Sequence, residues 1–420
     1  MSREIDRQSL AKYLFYGFIP APATIFKRVT KPLAKKYLFD YSSKLSWNQE
    51  RLIQKTETIL LETTKKCLKK IKNYPLGIFL SGGLDSSLVT MMLSKLISRS
   101  KIIAFSICYQ EKKYDESHFA KIVARKYGLK HQLITFSPFK AEGLLKQIIN
   151  FLDEPMADPS LLPTYLAFAQ ASKKVKHAFL GDAGDENFAG YPKYLAHWFL
   201  LKTGFNKLPL FLLANLFSGK WKSFFRYAHY PVYLRNQFWV SVFSPRQVYE
   251  LCGHKLVLTD LEKYHRLFNG HDPLDEAFFL DQNLILPDLY LVKTSAAAKA
   301  ASLKIHCPFL DKSVFKFSCQ IPYSQKLKGF KTKSILRTMA LKYFPKKLVM
   351  RPKTGFGLPL ESWLKNELKP LVSKELNLQK IKKEGFFNSQ AVAQTLANGT
   401  AQQIWTLLIF ELWLKKLSAT

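Results

Sequence analysis

The sequence predicts an α/β fold in which helices cover both faces of a parallel sheet, followed by a helical C-terminal half. A short apolar run at 76–80 precedes a glycine turn and then apolar residues at helical spacing through 97. Strand-like and helix-like segments then alternate from about 102 to 190, as they do in parallel sheets. After 190, aromatic and aliphatic residues recur at mixed helical spacing, so we expect packed helices there.

The predicted elements follow one another in a regular order. The helix at 116–127 has Asp115 as its predicted N-cap and Gly128 as its predicted C′ residue. In parallel sheets, ligands bind at the carboxyl ends of the strands, and the residues after 80 and after 180 both fall there. Strands are predicted at 76–80, 102–108, 131–136 and 175–180, and helices at 9–18, 50–73, 88–97, 116–127, 138–152 and 161–172.

The composition indicates a globular protein with a strongly basic surface. The chain has 420 residues, of which 47% are hydrophobic, and a net charge of +33. Its lysines occur in pairs along the whole chain, which favours a solvated basic surface over a nucleic-acid-binding arm or a membrane partner. The longest apolar stretch, Leu208–Phe217, contains a proline and is too short to span a bilayer. Five cysteines without a C-x-x-C pair indicate reduced thiols and a cytoplasmic protein.

The turn after the first strand is a candidate phosphate site. It reads Ser81-Gly82-Gly83-Leu84-Asp85-Ser86, and its glycines allow the backbone to approach a phosphate closely. It is not a Walker A motif, which requires a lysine for the phosphates. An acid beside phosphates needs a cation between them, so Asp85 is a candidate Mg²⁺ ligand.

A second candidate site follows the predicted strand that ends at 180. Asp182, Asp185 and Glu186 lie within five residues of one another and are separated by small residues. A solvated acidic turn is the alternative interpretation. In a basic chain, however, carboxylates beside a predicted phosphate site are better explained by a metal, which Asp85 and Asp185 would share.

Several motifs resemble those of one enzyme family. The turn at 81–86 resembles the SGGxDS pyrophosphate loop of ATP pyrophosphatases, whose fold is of the adenine nucleotide alpha hydrolase type. From about 46 to the C-terminus the sequence resembles the synthetase domain of glutamine-dependent asparagine synthetases and their relatives, β-lactam synthetase and the lasso-peptide cyclases. The other segments that carry this resemblance are 114–116, 152–160, 181–191, 308–311, 351–364 and 405–413.

The resemblance implies ATP and Mg²⁺ as cofactors and assigns roles to individual residues. It implies a substrate carboxylate that attacks the α-phosphate of ATP, giving an acyl-adenylate that ammonia or an amine then converts to an amide. Lys353 and Asp182 correspond to catalytic residues, and Asp85 and Asp185 to the metal ligands. Residues that correspond to ATP-binding positions are Leu80, Ser81, Gly82, Gly83, Asp85, Ser86, Ile107, Leu180 and Gly181.

The resemblance also predicts the division of the chain. Residues 1–45 are similar to the connector that follows the glutaminase domain of these enzymes, and 46–420 form the synthetase-like domain. Within the latter we expect a nucleotide-binding core at 74–200 and a helical part at 201–420. We expect the glutaminase domain to be lost or separately encoded, so that ammonia comes from solution or from a glutaminase partner.

One segment departs from the family pattern. In Lys293–Asp311, residues Ser295, Ala296, Lys299, Lys304 and His306 stand where the family usually has Asp, Arg, Met, Glu and Arg. The first expectation is conversion of aspartate to asparagine, but if this segment shapes the acid pocket, aspartate need not be the substrate. The alternatives are an amide synthetase or cyclase acting on another carboxylate, a tRNA-modifying ATP pyrophosphatase, and a non-catalytic subunit.

Overall fold

The computed structural model describes residues 4–32, 38–72, 74–351 and 358–419. Within them lies a five-stranded parallel sheet with the strand order β3-β2-β1-β4-β5, which confirms the predicted fold class. β5 was not expected, because three residues are too few to show a periodic pattern. The strands are β1 Leu76–Phe79, β2 Ile102–Tyr109, β3 Lys130–Phe136, β4 His177–Phe179 and β5 Lys304–His306.

Helices make up most of the remaining described chain. The predicted helices at 116–127 and 161–172 are confirmed to within a residue or two, and Gly128 has a φ of +61°, as the predicted C′ residue should. In chain order the helices are α1 Arg7–Tyr16, α2 Gln49–Leu68, α3 Leu84–Leu96, α4 Ser117–Lys126, α5 Ala141–Ile149, α6 Leu161–Ala171, α7 Gly184–Phe188, α8 Pro192–Thr203, α9 Gly219–Tyr227, α10 Val232–Phe238, α11 Pro245–Cys252, α12 Thr259–Leu267, α13 Pro273–Leu280, α14 Leu291–Ala300, α15 Lys312–Gln320, α16 Tyr323–Lys326, α17 Ser334–Leu341, α18 Lys346–Val349, α19 Leu360–Lys365, α20 Lys369–Glu375, α21 Leu378–Glu384, α22 Ser389–Asn398 and α23 Ala401–Ala419.

The sheet is buried on both faces. Ile102 and Ala104 of β2 belong to a core cluster that includes residues of α2 and α3. Ile103 and Phe105 belong to the other cluster, to which α5 and α6 contribute. Successive strand residues point to opposite faces, so a strand covered on both sides is mostly apolar, as the sequence of β2 is apart from Ser106.

α13 and α14 form one continuous helix through a π-helical segment, Asp281–Tyr290. Pro287 lies inside this segment, where it cannot donate a helical hydrogen bond, and such a residue favours a local change in helix winding. The continuous helix carries Lys293 and Thr294 to the sheet edge described below.

The N-terminal segment packs into the same core as the C-terminal helix. α1 is almost completely buried, and the Tyr13 hydroxyl donates a hydrogen bond of 2.8 Å to the carbonyl of Thr406 in α23. Lys12 forms a 2.7 Å ion pair with Asp260 in α12. The interpretation of residues 1–45 as a connector stays a prediction.

A helix must be both long enough and apolar enough to span a bilayer. No helix in residues 4–32, 38–72, 74–351 and 358–419 meets both requirements.

Candidate active site

The candidate phosphate turn lies between the end of β1 and the start of α3. Gly82 has a φ of +73°, and a Cβ at this position would lie only 2.6 Å from the Cβ of Phe119. Glycine is therefore required twice, for the backbone conformation and for the space. Ser81 Oγ accepts a 3.2 Å hydrogen bond from Gly83 N–H and lies 3.2 Å from Ser86 Oγ. The turn thus gathers two hydroxyls at a helix N-terminus, where anions bind favourably.

The acidic loop after β4 touches the phosphate turn. A Cβ at Gly184 would lie 2.4 Å from Asp85 Cγ, and one at Gly181 would lie 2.8 Å from Asp85 Cβ. Both positions must lack a side chain for the two loops to approach each other. Ala183, between them, adopts a left-handed φ of +76°. The structure therefore brings the two predicted loops together at the carboxyl edge of the sheet.

A lysine that the sequence analysis did not select joins these loops. Lys333 Nζ lies 2.7 Å from Asp185 Oδ1 and forms a second ion pair with Asp85. Lys333 immediately precedes α17 and has a φ of +55°. Burial disfavours its charge, but the carboxylates of Asp185 and Asp85 outweigh burial and raise the pKa of Lys333 above its ordinary value. The site therefore holds a permanent cation at neutral pH.

Sequence reasoning had little chance of finding Lys333. It is one of 64 Lys and Arg residues, and no periodicity distinguishes it from the lysines on the surface. Only its place directly before a helix with buried Ile335 and Leu336 marks it as a residue held near the core. Its partners lie about 150 and 250 positions earlier in the chain, at Asp185 and Asp85.

The predicted metal ligands fit a cation that arrives with phosphates. Among the residues that the structure describes, no group of three or more His, Cys, Asp or Glu side chains converges as a metal site. Asp85 and Asp185 meet on Lys333 and offer hard oxygen ligands of the kind that Mg²⁺ prefers. Mg²⁺ keeps few protein ligands and commonly takes others from substrate phosphates, so this donor set fits a metal carried by a nucleotide.

Asp182 lies in the same loop in a buried environment. Its Oδ2 accepts a 3.0 Å hydrogen bond from the hydroxyl of Thr294 in α14. Burial raises the pKa of Asp182 above its ordinary value, and nearby Lys293 opposes this effect only in part. Lys293 itself forms a 3.0 Å ion pair with Asp158. The segment that departs from the family pattern therefore begins in direct contact with a candidate catalytic carboxylate.

Four of the predicted ATP-binding residues lie at or just after the ends of three neighbouring strands. Leu80 follows β1, Ile107 lies near the end of β2, and Leu180 and Gly181 follow β4. The N–H of Leu180 donates a 2.9 Å hydrogen bond to the carbonyl of His306, the last residue of β5. All four residues thus share the carboxyl edge of the sheet with the phosphate turn.

Lys353 lies outside the described residues, which stop before it at Arg351. Arg351 Nη1 lies 2.5 Å from Glu116 Oε1, and the Arg351 guanidinium lies 4.3 Å above the Phe119 ring. Phe119 is the residue that packs against Gly82. The segment that contains Lys353 therefore begins beside the phosphate turn.

His306, one of the residues that depart from the family pattern, is half-buried and packed. Its Nε2 lies 2.9 Å from His177 Nδ1, and its ring stacks on Phe179 with 5.2 Å between centroids. Burial, together with the charges of His177, Lys70 and Lys304, lowers the pKa of His306 to about 4.

A glycine turn and a carboxylate loop at neighbouring strand ends define an α/β protein with a candidate phosphate-binding edge. The profile of the asparagine synthase family matches residues 55–415, and the chain belongs to that family of ATP-dependent, amide-forming ligases. It is 27% identical to asparagine synthetase [glutamine-hydrolyzing] 1 of Bacillus subtilis, over 98% of this chain and 69% of that protein. It is 25% identical to a putative asparagine synthetase [glutamine-hydrolyzing] of Mycobacterium tuberculosis, over 98% of this chain and 67% of that protein. It is 23% identical to the amidase chyE of Penicillium rubens, over 90% of this chain and 66% of that protein.

Proposed function

We propose that this chain activates a substrate carboxylate with ATP and transfers the acyl group to ammonia or another amine, with aspartate as the first candidate acid. The observation that carries the proposal is the convergence of Asp85, Asp185 and Lys333 on the end of the phosphate turn. This arrangement combines hydroxyl and N–H donors with a buried cation at one point. It suits a triphosphate whose terminal pyrophosphate leaves.

In the first step, a carboxylate oxygen of the substrate attacks the α-phosphate of ATP and the bond to the β-phosphate breaks. Ser81, Ser86 and the N–H groups of the turn hold the leaving pyrophosphate. Lys333 and Lys353 supply positive charge where negative charge develops. Asp85 and Asp185 would hold Mg²⁺, which would neutralise further charge on the leaving pyrophosphate.

In the second step, the amine attacks the acyl carbon of the acyl-adenylate and AMP leaves. Asp182 is the candidate for positioning the reacting carboxyl group or accepting a proton from the amine, and its raised pKa suits proton transfer. The hydroxyl of Thr294 fixes the orientation of this carboxylate through the 3.0 Å hydrogen bond. Most of the rate enhancement then comes from positioning and electrostatics.

The second candidate keeps the chemistry and changes the acid. The observation that favours it is the contact of Asp182 with the divergent segment, which the chain enters at Lys293 and Thr294. An amide synthetase or cyclase acting on another carboxylate would use the same ATP site. In either case we place the enzyme in the cytoplasm, with ammonia from solution or from a separate glutaminase.

The test is pyrophosphate release from Mg-ATP by the purified chain. We expect release with aspartate plus ammonium and none with aspartate plus glutamine. Asp85→Asn should abolish release, whereas Asp6→Asn, at the N-cap of α1, should leave it unchanged.

The outcomes separate the candidates. Release that requires other carboxylates, with none from aspartate, would replace asparagine synthesis by the second candidate. Release that requires tRNA, with binding that falls steeply with salt, would establish a tRNA-modifying enzyme. ATP binding without release under any of these conditions would contradict the proposed activity itself.

A further inference from the structure

The stretch after the acidic loop has an unusual charge pattern. Between Glu186 and Glu250 the chain contains no aspartate or glutamate. Of the basic residues in this stretch, Lys193 pairs with Asp281 at 2.7 Å, and the Arg235 side chain is buried against His197. Arg246, near the end of the stretch, pairs with Glu250 at 2.7 Å. The remaining basic residues have no carboxylate nearby in the sequence. They are Lys202, Lys207, Lys220, Lys222 and Arg226.

The same stretch exposes an unusual amount of apolar surface. Leu216 is 76% exposed, Leu212 68% and Trp221 63%. Soluble monomers rarely expose large contiguous apolar patches without a function. We call the following residues the 205–221 surface: Phe205, Lys207, Leu208, Phe211, Leu212, Leu213, Leu216, Phe217, Lys220 and Trp221.

Stacked aromatic rings hold this surface in place. Residues Leu210–Leu216 form 3₁₀ turns that pack against α9, and the rings of Phe217 and Phe225 stack with 4.5 Å between centroids. Phe224 of α9 stacks on Trp239 at 5.6 Å. The inner aromatic residues therefore anchor the segment, while Leu212, Leu216 and Trp221 stay exposed.

A second turn adds to the exposed apolar and basic surface near α8. Phe330 is 75% exposed and lies between the exposed Lys328 and Lys331. Its ring meets Trp198 of α8 edge-on at 5.7 Å, and the Lys202 ammonium lies 5.1 Å from the Trp198 ring. This turn repeats the pattern of apolar tips flanked by lysines.

We propose that the 205–221 surface binds the headgroup region of an anionic lipid bilayer. Interfacial membrane binding combines leucine, phenylalanine and tryptophan side chains at the acyl boundary with lysines that reach the headgroup phosphates. The complete lack of acids from 187 to 249 favours a negatively charged lipid surface over a protein partner, whose interface would carry both signs of charge.

Surface binding requires no membrane-spanning helix, and none of the described helices is long and apolar enough to be one. The sequence predicted no membrane partner, because Leu208–Phe217 contains a proline and is too short to span a bilayer and because the lysine pairs are spread along the chain. The structure adds that most of these residues are exposed rather than packed. The proposal does not depend on the amide-forming activity.

The test is co-sedimentation of the full chain with vesicles of phosphatidylcholine alone or of phosphatidylcholine mixed with phosphatidylserine. We expect binding to the mixed vesicles, weakened by salt. Lys207→Gln with Lys220→Gln should weaken it by about fivefold for each charge removed. Leu212→Ser with Leu216→Ser should weaken it by more than about tenfold, since two apolar side chains leave the acyl boundary.

The matched control is Lys173→Gln with Lys174→Gln, an exposed lysine pair before β4 that removes the same charge elsewhere. It should leave binding close to that of the unchanged chain, and neither set of variants should alter pyrophosphate release. Absence of vesicle binding, or equal loss in the control, would overturn the proposal. So would self-association of the chain that Leu212→Ser with Leu216→Ser abolishes, because a second copy would then cover the surface.

Discussion

Lys333 Nζ lies 2.7 Å from Asp185 Oδ1, although Asp185 belongs to α7 and Lys333 directly precedes α17. The same ammonium pairs with Asp85 at the start of α3. Gly190 makes this approach possible, since a Cβ there would lie 2.4 Å from Lys333 Cε. One buried cation therefore ties together the phosphate turn, the carboxylate loop and the start of α17.

Replacing Lys333 should remove charge stabilisation at the phosphate site. We expect Lys333→Ala to lower the rate of ATP–pyrophosphate exchange by about 100-fold or more, the usual cost of losing one group that stabilises developing charge. The variant should also be less stable, because Asp85 and Asp185 lose their shared buried counter-ion. Exchange kinetics and thermal unfolding measure the two effects.

The matched control for Lys333 is Lys331→Ala, an exposed lysine two residues earlier. It should change neither exchange nor thermal unfolding. Full exchange activity in Lys333→Ala would show that the ammonium only holds the loops together and takes no part in the chemistry.

Gly82→Ala should damage the phosphate turn. The new methyl group would meet Phe119 at 2.6 Å in a left-handed backbone conformation, so we expect a loss of about 1–3 kcal/mol in the free energy of unfolding. ATP binding should weaken at the same time. Denaturant unfolding and nucleotide titration check both.

The control for this substitution is Gly143→Ala in α5. A Cβ there meets no atom within 4 Å, and alanine favours a helix. We expect a gain of about 0.5–1 kcal/mol in the free energy of unfolding with ATP binding unchanged. If Gly82→Ala unfolded with the same free energy as the unchanged chain, the tight contact at Gly82 would not exist.

Asp182→Asn should separate stability from activity. The pKa of Asp182 is raised in the folded protein by burial, so the folded state binds its proton more tightly than the unfolded state does. Ionisation of Asp182 therefore lowers the free energy of unfolding as the pH rises above 3.8, the ordinary pKa of an aspartate. The asparagine variant should melt at a higher temperature than the unchanged chain at neutral pH, and should not form amide.

The difference in melting temperature between Asp182→Asn and the unchanged chain should shrink as the pH falls towards 3.8. Asp40→Asn, at an exposed position, is the control and should show no such gain. A lower melting temperature in Asp182→Asn at neutral pH would contradict the assigned cost of burying this carboxylate.

Local patterns predicted much of the fold. The first four strands and the helices between them were identifiable because each combines an apolar run with a turn or cap signal, as in Leu76–Phe79 followed by Gly82 and Gly83. β5 was missed because Lys304–His306 is short and pairs with only one strand. The exposure of Leu212 and Leu216 was also missed, since an apolar sequence does not show which side chains find a partner.

The candidate site was predicted in part, because some of its residues stand in recognisable local motifs. Asp85, Asp182 and Asp185 belong to contiguous motifs, and loops that follow parallel strands lie at the same edge of the sheet. Lys333 and Thr294 reach the site from distant helices, so no local pattern identifies them. Their roles depend on packing that only the folded chain displays, namely the close approach of Gly190 to Lys333 and of α14 to Asp182.

The paired histidines of β4 and β5 should make the fold sensitive to acid. Burial lowers the pKa of His306 to about 4 from an ordinary value of 6.5, so the unfolded chain takes up a proton at this residue before the folded chain does. The contribution of His306 to stability is complete above pH 6.5 and is lost as the pH falls from 6.5 to about 4. His306→Gln cannot gain this charge, so its free energy of unfolding should fall less over that range.

Denaturant unfolding at several pH values measures the difference, with the exposed His271→Gln as the control that should follow the unchanged chain. Identical pH profiles for all three proteins would mean that His306 has the same proton affinity in the folded and unfolded states.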